Sequence, residues 1–98
     1  MKNLRTTEKL MMLSSRLENS LYARAYKKVV EVNRFMDIQH HSNHCEILNA
    51  LYNVKQKKFT YLGMATLLNL SDNALRRYRT NYANMFNFFL EIELENAA

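Results

Sequence analysis

The residues of this chain best suited to chemistry are an asparagine and two arginines, Asn73, Arg76 and Arg77. Arginine can donate two parallel hydrogen bonds to guanine O6 and N7, and asparagine can bond adenine N6 and N7 in the same way. On a helix advancing 100° per residue, these three side chains and Thr80 lie opposite the apolar stripe. We therefore predict that Asn73, Arg76, Arg77 and Thr80 read bases in the major groove of DNA.

A second set of side chains is suited to phosphates. Three of the four residues in the segment 55–58 are lysines. Arg79 lies at the flank of the apolar stripe rather than on the opposite face. Cationic and hydroxyl groups bind phosphate oxygens and position a protein on a duplex without reading its sequence. The predicted phosphate contacts are Lys55, Lys57, Lys58, Thr60, Ser71 and Arg79.

Both assignments have a plainer alternative, in which Arg76, Arg77 and Arg79 only form a solvated helix face beside an ordinary helical hairpin. Asp72, in the first turn, is expected to be a partner of the helix dipole rather than a reader of cytosine N4. We prefer DNA binding because the helix caps, the short link and the basic outer face agree with one another.

The histidines and the cysteine near the middle of the chain raise the question of a metal site. On a helix His40 pairs with His44 and His41 pairs with Cys45, but the two pairs point about 100° apart. We therefore predict a polar loop with a buried Cys45, no metal and no cofactor. Because the sequence has no glycine-rich phosphate loop and no nucleophile elbow, we also predict that the protein is not an enzyme.

Composition predicts the fold class. The 98 residues are 48% hydrophobic and 23% charged, which is typical of one folded domain spanning residues 1–98. There is no proline and one glycine, Gly63, so hairpins and tight turns have few residues to build them. The prediction is an all-α domain of about five helices with a C-terminal helix-turn-helix.

Residues 1–40 carry one apolar stripe of helical period. Ser14, Ser15, Asn19 and Ser20 are weak helix formers, so the stripe belongs to one long helix or to two helices joined near Ser20. We favour two helices, or one with a kink. The stripe consists of Leu10, Leu13, Leu17, Leu21, Ala25, Val29, Val32 and Met36.

A polar connection is predicted over residues 39–43, before a third helix over about 44–53. Asn43 and Glu46 have the spacing of a capping box. The portion from 44 to 93 then contains the helix-turn-helix.

Two capped helices with a two-residue link form that portion. Thr60 caps a fourth helix predicted over about 61–68, with Phe59 and Met64 at the positions of a hydrophobic staple. Ser71 caps a fifth helix predicted to reach about Glu93, with Leu70 and Leu75 at the corresponding positions. Asn69 lies at the turn, where a left-handed conformation is needed, and Ala65 is small enough for close helix packing. The fifth helix buries Leu75, Tyr78, Tyr82, Met85, Phe86 and Phe89, and Phe88 is expected to be exposed.

Charge indicates the class of partner. The net charge is +5, and residues 1–82 hold fourteen basic residues against six acidic ones, a net of +8. Such a balance favours a polyanion, with double-stranded DNA as the first candidate and an anionic membrane surface as the second. No apolar run approaches the ~20 residues of a membrane span, and the single cysteine suits a reducing cytoplasm. We predict a cytoplasmic protein without membrane association.

Part of the sequence resembles a known family. The residues Thr60-Tyr61, Met64-Ala65, Leu67-Leu68, Leu70-Ser71 and Arg77-Tyr78-Arg79, with flanking positions from Glu46 to Glu93, resemble the ArpU-type phage transcriptional regulators. Those proteins are similar to region four of bacterial sigma factors. The resemblance implies late-gene control in phages or prophages, a reading helix over 71–84, and RNA polymerase as a candidate partner.

The leading hypothesis is thus a sequence-specific DNA-binding transcriptional regulator, with the helix 71–93 reading the major groove. A homodimer on two half-sites and a sigma-like monomer on an asymmetric site are both compatible with the sequence. The alternative is a small helical interaction module, such as a phage-encoded adaptor or inhibitor, that binds a host protein through the stripe from Leu10 to Met36. RNA binding by the same basic surface is a third hypothesis.

Overall fold

Five α-helices make up the regular structure of the described residues. The computed structural model describes residues 3–14, 16–52 and 61–97, with the backbone alone of residues 61 and 62. In chain order the helices are α1 (Leu4–Ser14), α2 (Leu21–His40), α3 (His44–Tyr52), α4 (Tyr61–Leu67) and α5 (Asp72–Ala97), and this part of the chain contains no strand. The predicted all-α fold is confirmed.

The N-terminal stripe is divided between two helices, as favoured from the sequence. The Ser20 hydroxyl accepts a hydrogen bond from the Ala23 N–H at 3.0 Å and so caps α2. Asn19, just before it, takes a left-handed φ of 65°. Leu17 lies in this link, outside both helices, and is 43% exposed, so its assignment to the helical stripe is wrong.

The second break between helices falls later than predicted. Helix α2 continues through Gln39 and His40, and His41 ends it with a φ of 51°. The predicted connection over 39–43 is therefore shorter, because two of its residues complete the last turn of α2. Only Ser42 and Asn43 separate His41 from α3.

The long helices α2 and α5 pack side by side in opposite directions. Asn33 lies beside Met85, with 3.6 Å from Nδ2 to Sδ, and Arg24 Nε donates to Glu93 Oε2 at 3.1 Å. Helix α1 covers a neighbouring flank of α5, where Thr7 and Asn87 exchange hydrogen bonds. Helix α5 is therefore the element on which the N-terminal half of the domain packs.

The predicted face of α5 packs on the core, but only Leu75, Tyr82 and Phe86 of the predicted residues are buried. The other three, Tyr78, Met85 and Phe89, are half-buried at its edges. The buried residues of the helix are Leu75, Tyr82, Ala83, Phe86 and Leu90. They meet a core that also contains Met11, Ala25, Val29, Ile47, Leu48, Leu51, Tyr52, Met64 and Ala65. Phe88 is 60% exposed, as expected for its position on the outer side of the helix. Helix α5 ends at Ala97 rather than near Glu93, because the last residues include good helix formers and neither glycine nor proline.

Candidate nucleic-acid interface

The turn between α4 and α5 is closed by backbone hydrogen bonds. The Leu70 N–H donates to the Ala65 carbonyl at 2.8 Å, and the Asn69 N–H donates to the Thr66 carbonyl at 3.2 Å. Asn69 has a φ of 57°, as predicted for this position. These features form a Schellman motif, which satisfies the last carbonyls of α4 and turns the chain sharply into α5.

Ser71 caps α5 as predicted. Its hydroxyl accepts from the Ala74 N–H at 3.1 Å, and its carbonyl accepts from the Leu75 N–H at 3.0 Å. The side chain is exposed, and accepting this bond leaves the hydroxyl hydrogen available to an outside acceptor. The cap is thus compatible with the predicted phosphate contact of Ser71.

The four predicted base-reading residues lie together on the outer side of the first turns of α5. Asn73, Arg76 and Arg77 are exposed, and Thr80 is half-buried. Leu75 and Tyr82 hold the opposite side of the same helix in the core. Among the described residues, no carboxylate lies within ion-pair distance of Arg76 or Arg77. Two guanidinium groups therefore face solvent from a helix fixed on its other side.

Arg79 forms an ion pair inside the protein that was not predicted. Its Nη2 donates to Glu8 Oε1 at 2.7 Å and its Nε donates to Glu8 Oε2 at 3.1 Å, while the Glu8 side chain is only 3% exposed. Tyr52 donates its hydroxyl to the same Oε2 at 2.6 Å. The charge of Arg79 is neutralised inside the protein, and its main contacts join α1 to α5. We therefore no longer count Arg79 among the residues predicted to bind phosphates.

The other predicted phosphate contacts, Lys55, Lys57, Lys58 and Thr60, lie outside the described residues. Phe59, predicted to form a staple with Met64, also lies outside them.

A polar cluster at the start of α3 was not predicted. Asp37, on α2, accepts hydrogen bonds from the backbone N–H groups of His44 at 2.7 Å and Cys45 at 2.9 Å, and from the Ser42 hydroxyl at 2.7 Å. The cap of α3 is therefore a carboxylate from the preceding helix rather than the predicted capping box of Asn43 and Glu46. Burial on its own would raise the pKa of Asp37, but these hydrogen bonds outweigh it and lower the pKa to about 2.

Serine, histidine and aspartate meet in this cluster, but not as a catalytic triad. Ser42 Oγ lies 3.0 Å from His44 Nδ1, and Asp37 Oδ1 lies 3.3 Å from the same nitrogen. A triad requires the serine and the carboxylate on opposite ring nitrogens, so that the histidine can pass a proton between them. Here the Ser42 hydroxyl also donates to Asp37, so the cluster acts as a helix cap.

The histidines and the cysteine do not come together to form a metal site in the described residues. His40 and His41 are exposed at the end of α2, whereas His44 and Cys45 begin α3. Cys45 is half-buried on that helix, instead of buried in a loop, and its thiol donates to the Val30 carbonyl at 3.6 Å. Within the described ranges, no three histidine, cysteine or acidic side chains are placed to hold a metal ion.

Tyr82 ties this cluster to α5. Its hydroxyl donates to the His44 carbonyl at 2.7 Å, and its ring stacks on Tyr78, whose ring in turn lies 5.5 Å from that of His44. Burial raises the pKa of Tyr82 above its ordinary value, which keeps the phenol protonated as a donor. The beginning of α3 is thereby fixed to the buried face of α5.

Two important side chains, Glu8 and Asp37, were missed because acidic residues are expected at the surface. The spacing of Glu8 and Asp37 from apolar neighbours could have indicated that both face the core. Glu8 stands between Leu4 and Met11 at intervals of four and three, and Asp37 follows Val29 and Asn33 at intervals of four. Both positions lie on the inner face of their helices, where an acid needs partners.

No described helix has the length and apolar character required to cross a membrane. Comparison of the chain with protein-family models, curated proteins and solved structures gives no match. The resemblance to ArpU-type regulators therefore stays a prediction.

Proposed function

We propose that this chain is a sequence-specific DNA-binding regulator of transcription, with α5 entering the major groove. The observation that supports it best is the exposure of Asn73, Arg76 and Arg77 on the first turns of a helix that follows a closed turn. The major groove is about 12 Å wide and admits one α-helix. The resemblance noted in the sequence adds late-gene control in a phage or prophage to this proposal, with RNA polymerase as a candidate partner.

The distribution of charge along α5 favours its N-terminal half as the part that contacts DNA. Arg76 and Arg77 lie there, with Asp72 as the one acidic residue of the first three turns. Glu91, Glu93 and Glu95 occupy the last turns, where they would repel phosphates. The helix is thus suited to enter a groove with its N-terminal end, as in helix-turn-helix proteins.

The test is a selection of bound sequences from a randomised duplex library at two salt concentrations. The wild-type chain is compared with a double variant, Arg76→Ala with Arg77→Ala, and with a control, Lys27→Ala with Lys28→Ala. Both variants lose two exposed positive charges, but Lys27 and Lys28 are on α2. An enriched motif that is lost only in the arginine variant would support base reading by α5, and a symmetric motif would indicate a dimer.

Failure to enrich any motif would reject sequence-specific recognition. Single-stranded and double-stranded RNA competitors belong in the same assay, since an RNA that outcompetes every duplex would move the assignment to RNA binding.

A second candidate function is binding of a host protein. The surface that supports it is the outer side of α2, not the predicted stripe from Leu10 to Met36. Ala25 and Val29 of the N-terminal stripe are fully buried in the domain's own core, so the stripe is not a free surface. On the outer side of α2, however, Phe35 is 63% exposed and Ile38 is 68% exposed. Weak, salt-insensitive binding to random duplex would favour this function, because phosphate contacts impose a steep salt dependence.

A further inference from the structure

An open cleft of about 480 Å³ lies between α1 and the first half of α5. Arg5, Glu8 and Lys9 line it from α1, and Arg79 lines it from α5. The residues that line it carry three positive charges and one negative charge, so the cleft as a whole is cationic.

Arg79 and Glu8 neutralise each other at the side of this cleft. Both carboxylate oxygens of Glu8 accept hydrogen bonds, Oε1 from Arg79 and Oε2 from Arg79 and Tyr52. The carboxylate is therefore engaged within the protein, and its charge is balanced at short range. The two remaining positive charges of the cleft belong to Arg5 and Lys9.

Arg5 and Lys9 are exposed and one helical turn apart on α1. No carboxylate in the described part of the chain lies within ion-pair distance of either side chain. Asn3 fixes the beginning of this helix, because its Oδ1 accepts the Arg5 N–H at 2.8 Å. Two cations therefore project from a capped helix, and neither is paired with a carboxylate of the described residues.

The cleft adjoins the outer face of α5 that we assign to DNA. Arg76 precedes Arg79 by three residues, which places it about 4.5 Å along the axis and roughly 60° around it. Asn87 also contacts α1, through Thr7. Around the axis of α5, Asn87 lies about 80° from Arg79, in the same rotational direction as Arg76. Helix α1 therefore flanks α5 on the side on which Arg76 projects.

We infer that Arg5 and Lys9 bind backbone phosphates of the same duplex whose major groove α5 enters. This inference rests on the proposed function. A recognition helix alone leaves its orientation in the groove weakly defined, and phosphate contacts from a second helix fix the register. Charge complementarity and continuity with Arg76 favour a DNA backbone as the ligand of this cleft.

The experiment measures duplex affinity of the full chain against salt concentration, on the selected site and on random sequence. The variant is Arg5→Gln with Lys9→Gln, and the matched control is Lys27→Gln with Lys28→Gln. Each phosphate contact contributes about 0.9 to the slope of log affinity against log salt, so loss of two contacts lowers the slope by about 1.8. The wild-type chain should then lose about tenfold more affinity than the variant between about 50 and 200 mM salt.

The lysine control should retain the wild-type slope, and both variants should keep the wild-type helical circular dichroism. If the wild-type chain binds duplex but the arginine and lysine variant on α1 keeps the same slope, the inference about the cleft is wrong and the proposed function stands. If the wild-type chain binds no duplex, the proposed function itself fails. An equal loss of slope in both variants would show that only overall charge matters, which also rejects the cleft.

Discussion

Arg79 and Glu8 form a two-point ion pair across 71 positions of the sequence, with N to O distances of 2.7 and 3.1 Å. Glu8 is 2% exposed, and Tyr52 supplies a third hydrogen bond to it from α3. One carboxylate thus joins three helices. Removing one partner of a buried pair leaves the other without compensation, which costs more than the pair itself contributes.

Substituting alanine for Glu8 or Arg79 should therefore destabilise the domain. We expect Glu8→Ala to lower the free energy of unfolding by about 3 kcal/mol, since Arg79 would keep its charge beside an apolar core. Urea denaturation measures this change. Arg76→Ala is the control, because Arg76 is exposed one turn away and its loss should change stability by less than about 0.5 kcal/mol. If Glu8→Ala and Arg76→Ala changed stability equally, the structural role of the ion pair between Glu8 and Arg79 would be contradicted.

The arginines of the outer face should differ from the lysines in what they contribute to binding. Arg76→Ala or Arg77→Ala should cost about 1–3 kcal/mol on the preferred site and little on random DNA. Lys57→Ala, at a predicted phosphate contact, should weaken both alike and reduce the salt dependence. Fluorescence anisotropy with the two duplexes gives both quantities. The assignment of base reading is lost if all three substitutions act equally on the two duplexes.

Asp37 should make the stability of the domain sensitive to acid. Its pKa is lowered to about 2 in the folded state, against about 3.9 in an unfolded chain. The carboxylate therefore stabilises the fold fully above about pH 5, and this contribution decreases as the pH falls towards 2. Thermal unfolding of the wild-type chain and of Asp37→Asn between pH 7 and 2 should show a difference that narrows with acid.

At pH 7 we expect Asp37→Asn to lose about 1–2 kcal/mol, because the amide can accept at one position only where the carboxylate accepts at two. Asp72→Asn provides the comparison. Asp72 is exposed in the first turn of α5, so its substitution should cost only about 0.5 kcal/mol. A pH-independent difference between the wild-type chain and Asp37→Asn would show that the carboxylate does not ionise as described.

The left-handed conformation of Asn69 should restrict which residues are tolerated there. A β-branched residue at a φ of 57° places Cβ against the backbone, so Asn69→Val should cost about 1–2 kcal/mol. Asn69→Gly should be within about 0.5 kcal/mol of the wild type, because glycine adopts this conformation freely. Urea denaturation of both variants separates the two cases. Equal stability of the valine and glycine variants would contradict the turn geometry.

Local features of this fold could be predicted from the sequence. The Ser71 cap and the Asn69 turn depend on residues within about two turns of one another, and the buried side of α5 depends only on the period of its own sequence. Their residue types determine them almost alone. The exposure of Arg76 and Arg77 follows directly, because the face opposite a buried stripe must point outward.

Interactions between distant segments could not be predicted in the same way. Asp37 caps α3 from another helix, and Arg79 meets Glu8 across 71 positions of the sequence. Which helix lies beside which depends on the packing of the whole core, and a periodicity does not contain that information. Arg79 illustrates the difference. Its position at the flank of the stripe follows from the helical period, whereas its pairing with Glu8 does not.

Helix α5 carries the predicted reading face on one side and Leu75, Tyr82 and Phe86 of the core on the other. During synthesis it leaves the ribosome after α1, α2, α3 and α4, which supply the rest of that core. A nascent chain that lacks α5 therefore has neither a completed core nor the predicted reading face. If the proposed function holds, the core and the reading face form in the same event, and the concentration of protein able to read DNA should equal the concentration of fully folded protein.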